Sequence, residues 1–130
     1  MLQKFIKKGR KMKISKKLIK NVLVKETENL SDDFTFNIKD NYILFVDEGE
    51  SQFEVNIYEF AFKCKEWALN KGYTIESHTN RSCLSGNNYE YFSIAKIFKE
   101  TSSMRINTIE ENTEIESTIQ ACKWILKEEK

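Results

Sequence analysis

The chain has one histidine, His78, and Cys83 follows it five positions later, with Arg81 between them. A histidine within hydrogen-bonding reach of a cysteine can activate the thiolate as a nucleophile. No sequence signature of a cysteine enzyme surrounds this pair, and two residue types without their geometry do not define an active site. We therefore predict no enzymatic activity and interpret the segment as the end of a strand that enters a polar loop.

A metal or cofactor site is not predicted either. The three cysteines lie far apart, no C-x-x-C pair occurs, and a single histidine cannot complete a zinc site with them. The acidic residues after Val46 lack the ligand spacing of a calcium loop, and there is no glycine-rich phosphate loop. We expect neither a metal nor a cofactor, and we interpret Cys64 and Cys122 as small core residues.

Charge is distributed unevenly along the chain. Residues 1–25 carry nine lysines and Arg10 with no acid, so the other 105 residues hold 11 basic and 20 acidic side chains, a net charge of −9. Such asymmetry favours a contact with nucleic acid, a membrane or an acidic partner. It is equally typical of a solvated basic tail attracted to an acidic body, and both interpretations stay open.

The chain is expected to form one domain. Met12 begins a sequence that looks like a natural start, so we interpret residues 1–12 as a basic tail or an upstream extension and residues 13–130 as a single α+β domain. No apolar run has the length of a membrane span, and the N-terminus lacks the apolar stretch of a secretory signal. Together with an odd number of cysteines, this favours reduced thiols in the cytoplasm.

Hydrophobic periodicity predicts the first half of the fold. Ser15 is a suitable N-cap for a helix at about residues 16–24. Apolar and polar residues alternate over 34–38, which is the period of a half-buried strand. Tight turns at 40–41 and 48–51 then predict three antiparallel strands in succession.

The second half begins and ends with longer amphipathic helices, for which Asn56 and Thr113 are the expected N-caps. Three further strands are predicted between these helices, with a polar loop over 79–90 and a turn near 101–103. The order α-βββ-α-βββ-α predicts an α+β fold, a two-layer sandwich in which helices cover antiparallel sheets.

The span 56–130, "NIYEFAFKCKEWALNKGY" through "NTEIESTIQACKWILKEEK", resembles a double-stranded-RNA-binding domain in its helix–strands–helix order. Such domains place lysines at the start of the last helix, where they contact phosphates. Glutamates occupy that place here, and they would repel phosphate while stabilising the helix through its dipole. We therefore predict that this half does not bind duplex RNA.

The same two helix segments, within residues 53–130, also look like those of small uncharacterised proteins of bacteriophages and other mobile elements, in which two amphipathic helices flank a small antiparallel sheet. The resemblance implies an accessory protein of a mobile element, working in the cytoplasm of a bacterial host cell. Many such proteins inhibit host defence, anti-CRISPR proteins included. The matching positions are mostly core residues, so no functional residue is carried over.

The resulting first hypothesis is a non-enzymatic inhibitor that occludes a host protein, with an acidic surface that mimics nucleic-acid charge. The predicted acidic contacts are Asp47, Glu48, Glu50, Glu110, Glu111, Glu114 and Glu116. Further contacts are predicted in and after the polar loop, where tyrosine and arginine favour recognition: Arg81, Tyr89 and Tyr91.

Two alternatives remain. The first is a nucleic-acid-binding accessory protein that neutralises phosphates with N-terminal lysines: Lys13, Lys16, Lys17 and Lys20. The second is a sponge for a small ligand such as a nucleotide signal, held by Lys96, Arg81 and Tyr91. The oligomeric state is left open.

Overall fold

The computed structural model describes residues 13–83, 89–99 and 105–128, with side chains for all of these except 81–83, 89 and 90. The elements are α1 (Lys16–Val22), α2 (Val24–Thr27), β1 (Thr35–Lys39), β2 (Tyr42–Asp47), β3 (Glu50–Asn56), α3 (Ile57–Asn70), β4 (Tyr73–Cys83), β5 (Tyr89–Lys99), β6 (Arg105–Glu111) and α4 (Glu114–Glu128).

The strands form two antiparallel sheets of three strands each. The first sheet has the order β1-β2-β3 and the second the order β4-β5-β6. Helices α3 and α4 pack against each other and against the second sheet. Buried side chains of α1 and of both sheets belong to one hydrophobic cluster with those of α3 and α4. The predicted α+β class and element order are confirmed.

The first predicted helix is in fact two short helices. Leu23 leaves the helical region, with φ −103° and ψ 55°, and separates α1 from α2. The break lets the Leu23 side chain enter the core while Val24 stays exposed. Ser15 caps α1 as predicted, because its hydroxyl accepts the Leu18 N–H at 3.1 Å.

The first hairpin turn of the first sheet lies at residues 40–41 as predicted, and the second is tighter than the predicted 48–51. Lys39 pairs with Tyr42 and Asp47 with Glu50, so each loop has two residues. At the second turn Glu48 and Gly49 both have positive φ, 54° and 79°. Backbone of this kind matches the twist of a two-residue hairpin, and β3 therefore begins at Glu50.

The polar loop predicted over 79–90 is largely strand. Residues 79–83 of β4 pair with 89–93 of β5 in an unbroken antiparallel register. Backbone pairing across a hairpin is compatible with a polar sequence, in which hydrophobic alternation gives no signal. The turn predicted near 101–103 lies outside the described residues.

The core of the first sheet is built around Phe45. Its ring stacks on Phe53 with 4.7 Å between centroids and lies 6.0 Å from Phe34 and 6.4 Å from Phe36. Phe45 itself is fully buried. Aromatic residues in such arrangements stabilise small cores beyond their area alone.

Replacing Phe45 with Ala should lower the free energy of unfolding by about 3–5 kcal/mol, because the deletion leaves a cavity among three other rings. Chemical denaturation monitored by circular dichroism measures the change. Phe62→Ala is the matched control, since Phe62 is 63% exposed, and it should change the stability by less than about 0.5 kcal/mol. Equal losses in the two variants would contradict this account of the core.

Cys64 and Cys122 meet between α3 and α4. Both thiols are free and buried, as predicted for core residues, and Cys122 Sγ donates to the Cys64 carbonyl oxygen at 3.3 Å. Burial raises the pKa of the Cys64 thiol well above its usual value, and the neighbouring Cys122 adds to the effect. Cys64 is therefore the protonated, unreactive thiol at neutral pH.

Iodoacetamide at pH 8 should leave Cys64 and Cys122 unmodified in the folded protein and alkylate both in denaturant, because both sulfur atoms are buried out of reach of the reagent in the folded state. Mass spectrometry of tryptic peptides at successive times provides the measurement. Modification of Cys64 in the native protein at the rate seen in denaturant would show that the α3–α4 contact is open.

Candidate functional site

Four of the predicted acidic residues lie together at the junction of β6 and α4. Thr113 precedes the helix, and its hydroxyl accepts the Glu116 N–H at 3.1 Å, which is the predicted N-cap. Carboxylates in the first helical turn are stabilised by the helix dipole. We name this group the acidic junction: Glu110, Glu111, Glu114 and Glu116.

Tyr91 lies at the same end of the second sheet. Ser93 pairs with Glu111 in the last pair between β5 and β6. Tyr91 lies two residues beyond Ser93 on the same face of β5, about 7 Å further along the strand. Tyr91 is 58% exposed, whereas Ser93 is buried on the same face. The structure therefore brings a predicted aromatic contact close to the predicted acidic contacts.

Thr79 on β4 connects β5 and the start of α4 through its hydroxyl. Thr79 Oγ1 lies 3.0 Å from Ser93 Oγ on β5 and donates to Glu114 Oε2 at 3.1 Å. The hydroxyls of Ser77 and Thr118 make a second bond between β4 and α4, at 2.7 Å. The start of α4 is thus held in a defined position on the sheet, and the acidic junction is held with it.

The sequence reasoning missed an exposed apolar stripe on α3. Tyr58, Phe62 and Leu69 are exposed, although α3 also buries a full stripe on its other side. The signal in the sequence was a helix with large apolar residues all round, which is unusual for a surface helix. The apolar residues that predict the buried face of α3 do not include this exposed group.

Phe62 borders an open groove of about 210 Å³ between α3 and the start of α4. We name it the docking groove; its lining residues are Ala61, Phe62, Lys65, Glu114, Ile115 and Thr118. Glu114 belongs both to this groove and to the acidic junction. An apolar groove and a group of carboxylates therefore adjoin on one side of the molecule.

The predicted acidic contacts of the first sheet, Asp47, Glu48 and Glu50, differ from one another in exposure. Asp47 is only 9% exposed, and its carboxylate accepts the Ser31 N–H at 2.8 Å as well as the Ser31 hydroxyl. These hydrogen bonds lower the pKa of Asp47. The carboxylate of Asp47 therefore makes an internal contact, and its predicted contact with a partner stays untested. Glu48 and Glu50 are exposed, but they lie on the other sheet from the acidic junction.

Lys16 and Lys20, two of the four predicted nucleic-acid lysines, contact the segment before β1, Lys20 through an exposed ion pair. Lys16 Nζ donates to the carbonyl oxygens of Asp32 and Phe34 at 2.6 Å each, and lies 4.2 Å from the centroid of the Phe34 ring. Lys20 lies 3.6 Å from the Asp32 carboxylate. Lys16 is thus a clamp between α1 and the start of the first sheet, because its ammonium group contacts both carbonyl oxygens and the Phe34 ring.

Lys13 and Lys17 are exposed, and neither side chain has a hydrogen-bond or ion-pair partner among the described residues. The nucleic-acid contacts of Lys13, Lys16, Lys17 and Lys20 stay a prediction.

Of the three contacts predicted for a small ligand, Lys96 lies apart from Tyr91. Tyr91 and Lys96 are five residues apart on a regular strand, so they project from opposite faces of the sheet. Arg81 pairs with Tyr91, and Tyr89 pairs with Cys83 at the described end of the hairpin. His78 pairs with Ile94 on β5, and the side chain of Cys83 lies outside the described residues.

The described residues also bear on metal binding and on membrane crossing. Within the described ranges, no three His, Cys, Asp or Glu side chains are grouped as metal ligands. Among the helices of those ranges, none combines the length and the apolar character needed to cross a membrane.

A second open groove, of about 350 Å³, lies between α1, α2 and α3 and is crossed by the Lys63–Glu26 ion pair at 2.9 Å.

Comparisons of the chain with protein-family models, with curated proteins and with solved structures find no match.

Replacing Lys16 with Met should lower the free energy of unfolding by about 1–2 kcal/mol, because two carbonyl oxygens lose a charged donor. Lys17→Met is the matched control on the next residue, where the side chain is exposed; it should leave the stability nearly unchanged. Urea denaturation of both variants makes the comparison. If Lys16→Met proves as stable as Lys17→Met, the clamp has no energetic role.

Proposed function

We propose that this protein is a non-enzymatic binding protein that docks a protein partner in the docking groove. The observation that carries the proposal is Phe62, 63% exposed at the rim of a groove whose other side is Ile115. A large aromatic exposed beside an apolar concavity is the arrangement from which interface hot spots are made.

The charges beside the groove define the chemistry of the partner. Glu114 lines the groove, and the rest of the acidic junction and Tyr91 extend the surface along the end of the sheet. A partner that places an apolar side chain beside Phe62 and basic side chains on the carboxylates would be complementary in shape and charge. Negative charge at the rim would also accelerate association with a basic surface.

A basic surface with apolar contacts is typical of proteins that bind nucleic acid. Occupation of such a surface would block its nucleic acid, which is the inhibitory mode expected from the acidic body of this chain. The resemblance of its helices to those of small bacteriophage proteins supports a host defence factor, such as a CRISPR effector, as the partner, and the cytoplasm of the host as the place of action.

The test is affinity capture from nuclease-treated bacterial lysate with three proteins: wild type, Phe62→Ser and Leu69→Ser. Leu69 is 56% exposed on the same helix but does not line the groove. A partner of defined stoichiometry should be retained by wild type and by Leu69→Ser, and its affinity for Phe62→Ser should fall about tenfold or more. A Glu110→Lys/Glu114→Lys variant should bind more slowly and lose the salt dependence of the association rate.

Equal binding by Phe62→Ser and Leu69→Ser would overturn the groove as the contact. A captured fraction that disappears with nuclease, and that weakens in a Lys13→Ala/Lys17→Ala variant, would support the nucleic-acid alternative instead.

A further inference from the structure

Carboxylates border the docking groove on both of its helices. Glu114 lines the groove on α4, and Glu59 and Glu66 are exposed on α3. At about 100° per residue, these two acids lie within about 60° of Phe62 around the axis of α3. Lys65 is the one base among the lining residues. The groove is therefore an apolar concavity whose border carries more negative than positive charge.

The start of the chain has the complementary composition. Residues 1–12 lie outside the described residues and have the sequence MLQKFIKKGRKM. They contain five basic residues and no acid, and Leu2, Phe5 and Ile6 stand among the basic ones. Such a segment can place an apolar side chain in the groove and ammonium groups on its carboxylates at the same time.

The segment joins the described chain beside α4. Gln120 Nε2 on this helix donates to the Lys13 carbonyl oxygen at 2.8 Å. Gln120 is about 9 Å from Glu114 along the helix axis and lies on the side of α4 opposite Thr118. A path halfway around a helix of about 10 Å diameter adds roughly 16 Å. Twelve extended residues span up to about 40 Å, so the segment is long enough to reach the groove.

We propose that residues 1–12 bind back into the docking groove of their own chain, with an apolar side chain beside Phe62 and basic side chains on Glu114 and on the acids of α3. The inference rests on the proposed function, because it takes the docking groove as the site, and it makes a partner compete with the chain's own N-terminal segment. The effective concentration of a segment on a short linker is about 1 mM, so a contact of about 1 mM affinity would fill the groove in about half of the molecules.

The acidic turn of the first sheet provides an internal control. Glu48 and Glu50 are exposed there, and neither lines the docking groove. Attraction by charge alone would bring the basic segment to both places. Binding in the groove adds apolar contacts, which the turn does not offer, so the segment should prefer the groove.

Paramagnetic relaxation in the full chain tests the contact. Gln3→Cys is made together with Cys83→Ser and carries a nitroxide spin label, while Cys64 and Cys122 remain as buried native thiols. Proton–nitrogen spectra are recorded before and after reduction of the nitroxide. The ratio of the two signal intensities reports which backbone amides lie close to the labelled segment.

The expected result is a loss of signal at the groove. Amides of Phe62, Lys65 and Ile115 should lose about half of their intensity or more, because the groove is filled in about half of the molecules. Amides of Glu48 and Glu50 should change much less. At about 1 M NaCl, where the Debye length is about 3 Å, the loss should shrink because the carboxylates attract the segment less.

Variants on each side separate the groove from general attraction. Phe62→Ser should restore the signals of Lys65 and Ile115, whereas Leu69→Ser, on the same helix but outside the groove, should not. Phe62 and Leu69 are both exposed, so neither variant removes a core side chain, and circular dichroism checks the fold. Phe5→Ser in the labelled chain should weaken the effect as well.

Full intensity at the groove would overturn the proposal. So would an equal loss at Glu48 and Glu50, or a loss that Phe62→Ser leaves unchanged. A loss in isotope-labelled chain that is merely mixed with spin-labelled chain would assign the contact to a second copy and overturn it too.

These spectra involve no partner, so the two proposals fail separately. A partner captured through the groove without any loss of signal would overturn only the intramolecular contact. A clear loss of signal with no partner captured would overturn the proposed function and leave the intramolecular contact detected.

Discussion

The close approach of α3 and α4 is the constraint on which the rest of the structure depends. The small side chains of Cys64 and Cys122 meet at this contact, and both are fully buried. A sulfur–carbonyl distance of 3.3 Å between Cys122 and Cys64 shows how near the two helices come. Larger residues at these positions would separate the helices, and packed interiors accommodate added volume poorly.

This approach also creates the docking groove. Because the contact between the helices is made by their buried faces, the outer side of α3 and the first turn of α4 are left to border a concavity. Hydrogen bonds from Thr79 and between Ser77 and Thr118 fix that first turn on the second sheet. The position of Glu114 beside Phe62 therefore follows from the way the core is closed.

The charged side chains of the molecule form two groups, those with contacts inside the fold and those that stay exposed. Lys16 and Lys20, from the basic N-terminal run, make contacts within the fold, and Asp47 is held by Ser31. Glu110 and Glu114 stay exposed at the end of the second sheet. The charge asymmetry of the sequence is thus partly satisfied by contacts within the molecule, while these two acids face solvent.

The sequence by itself determined the elements and their order, because helices and strands depend on residues a few positions apart. Ser15, Asn56 and Thr113 cap the helices as predicted, and Trp67 and Trp124 lie at the edge of the core. Only the tertiary structure decided which exposed residues meet. The bond between Thr79 and Glu114 spans 35 positions and the clamp from Lys16 to Phe34 spans 18. No local period encodes such contacts, since they depend on how two sheets and two helices share one core. For the same reason the sequence placed Asp47 in a contact surface, while the fold uses its carboxylate internally.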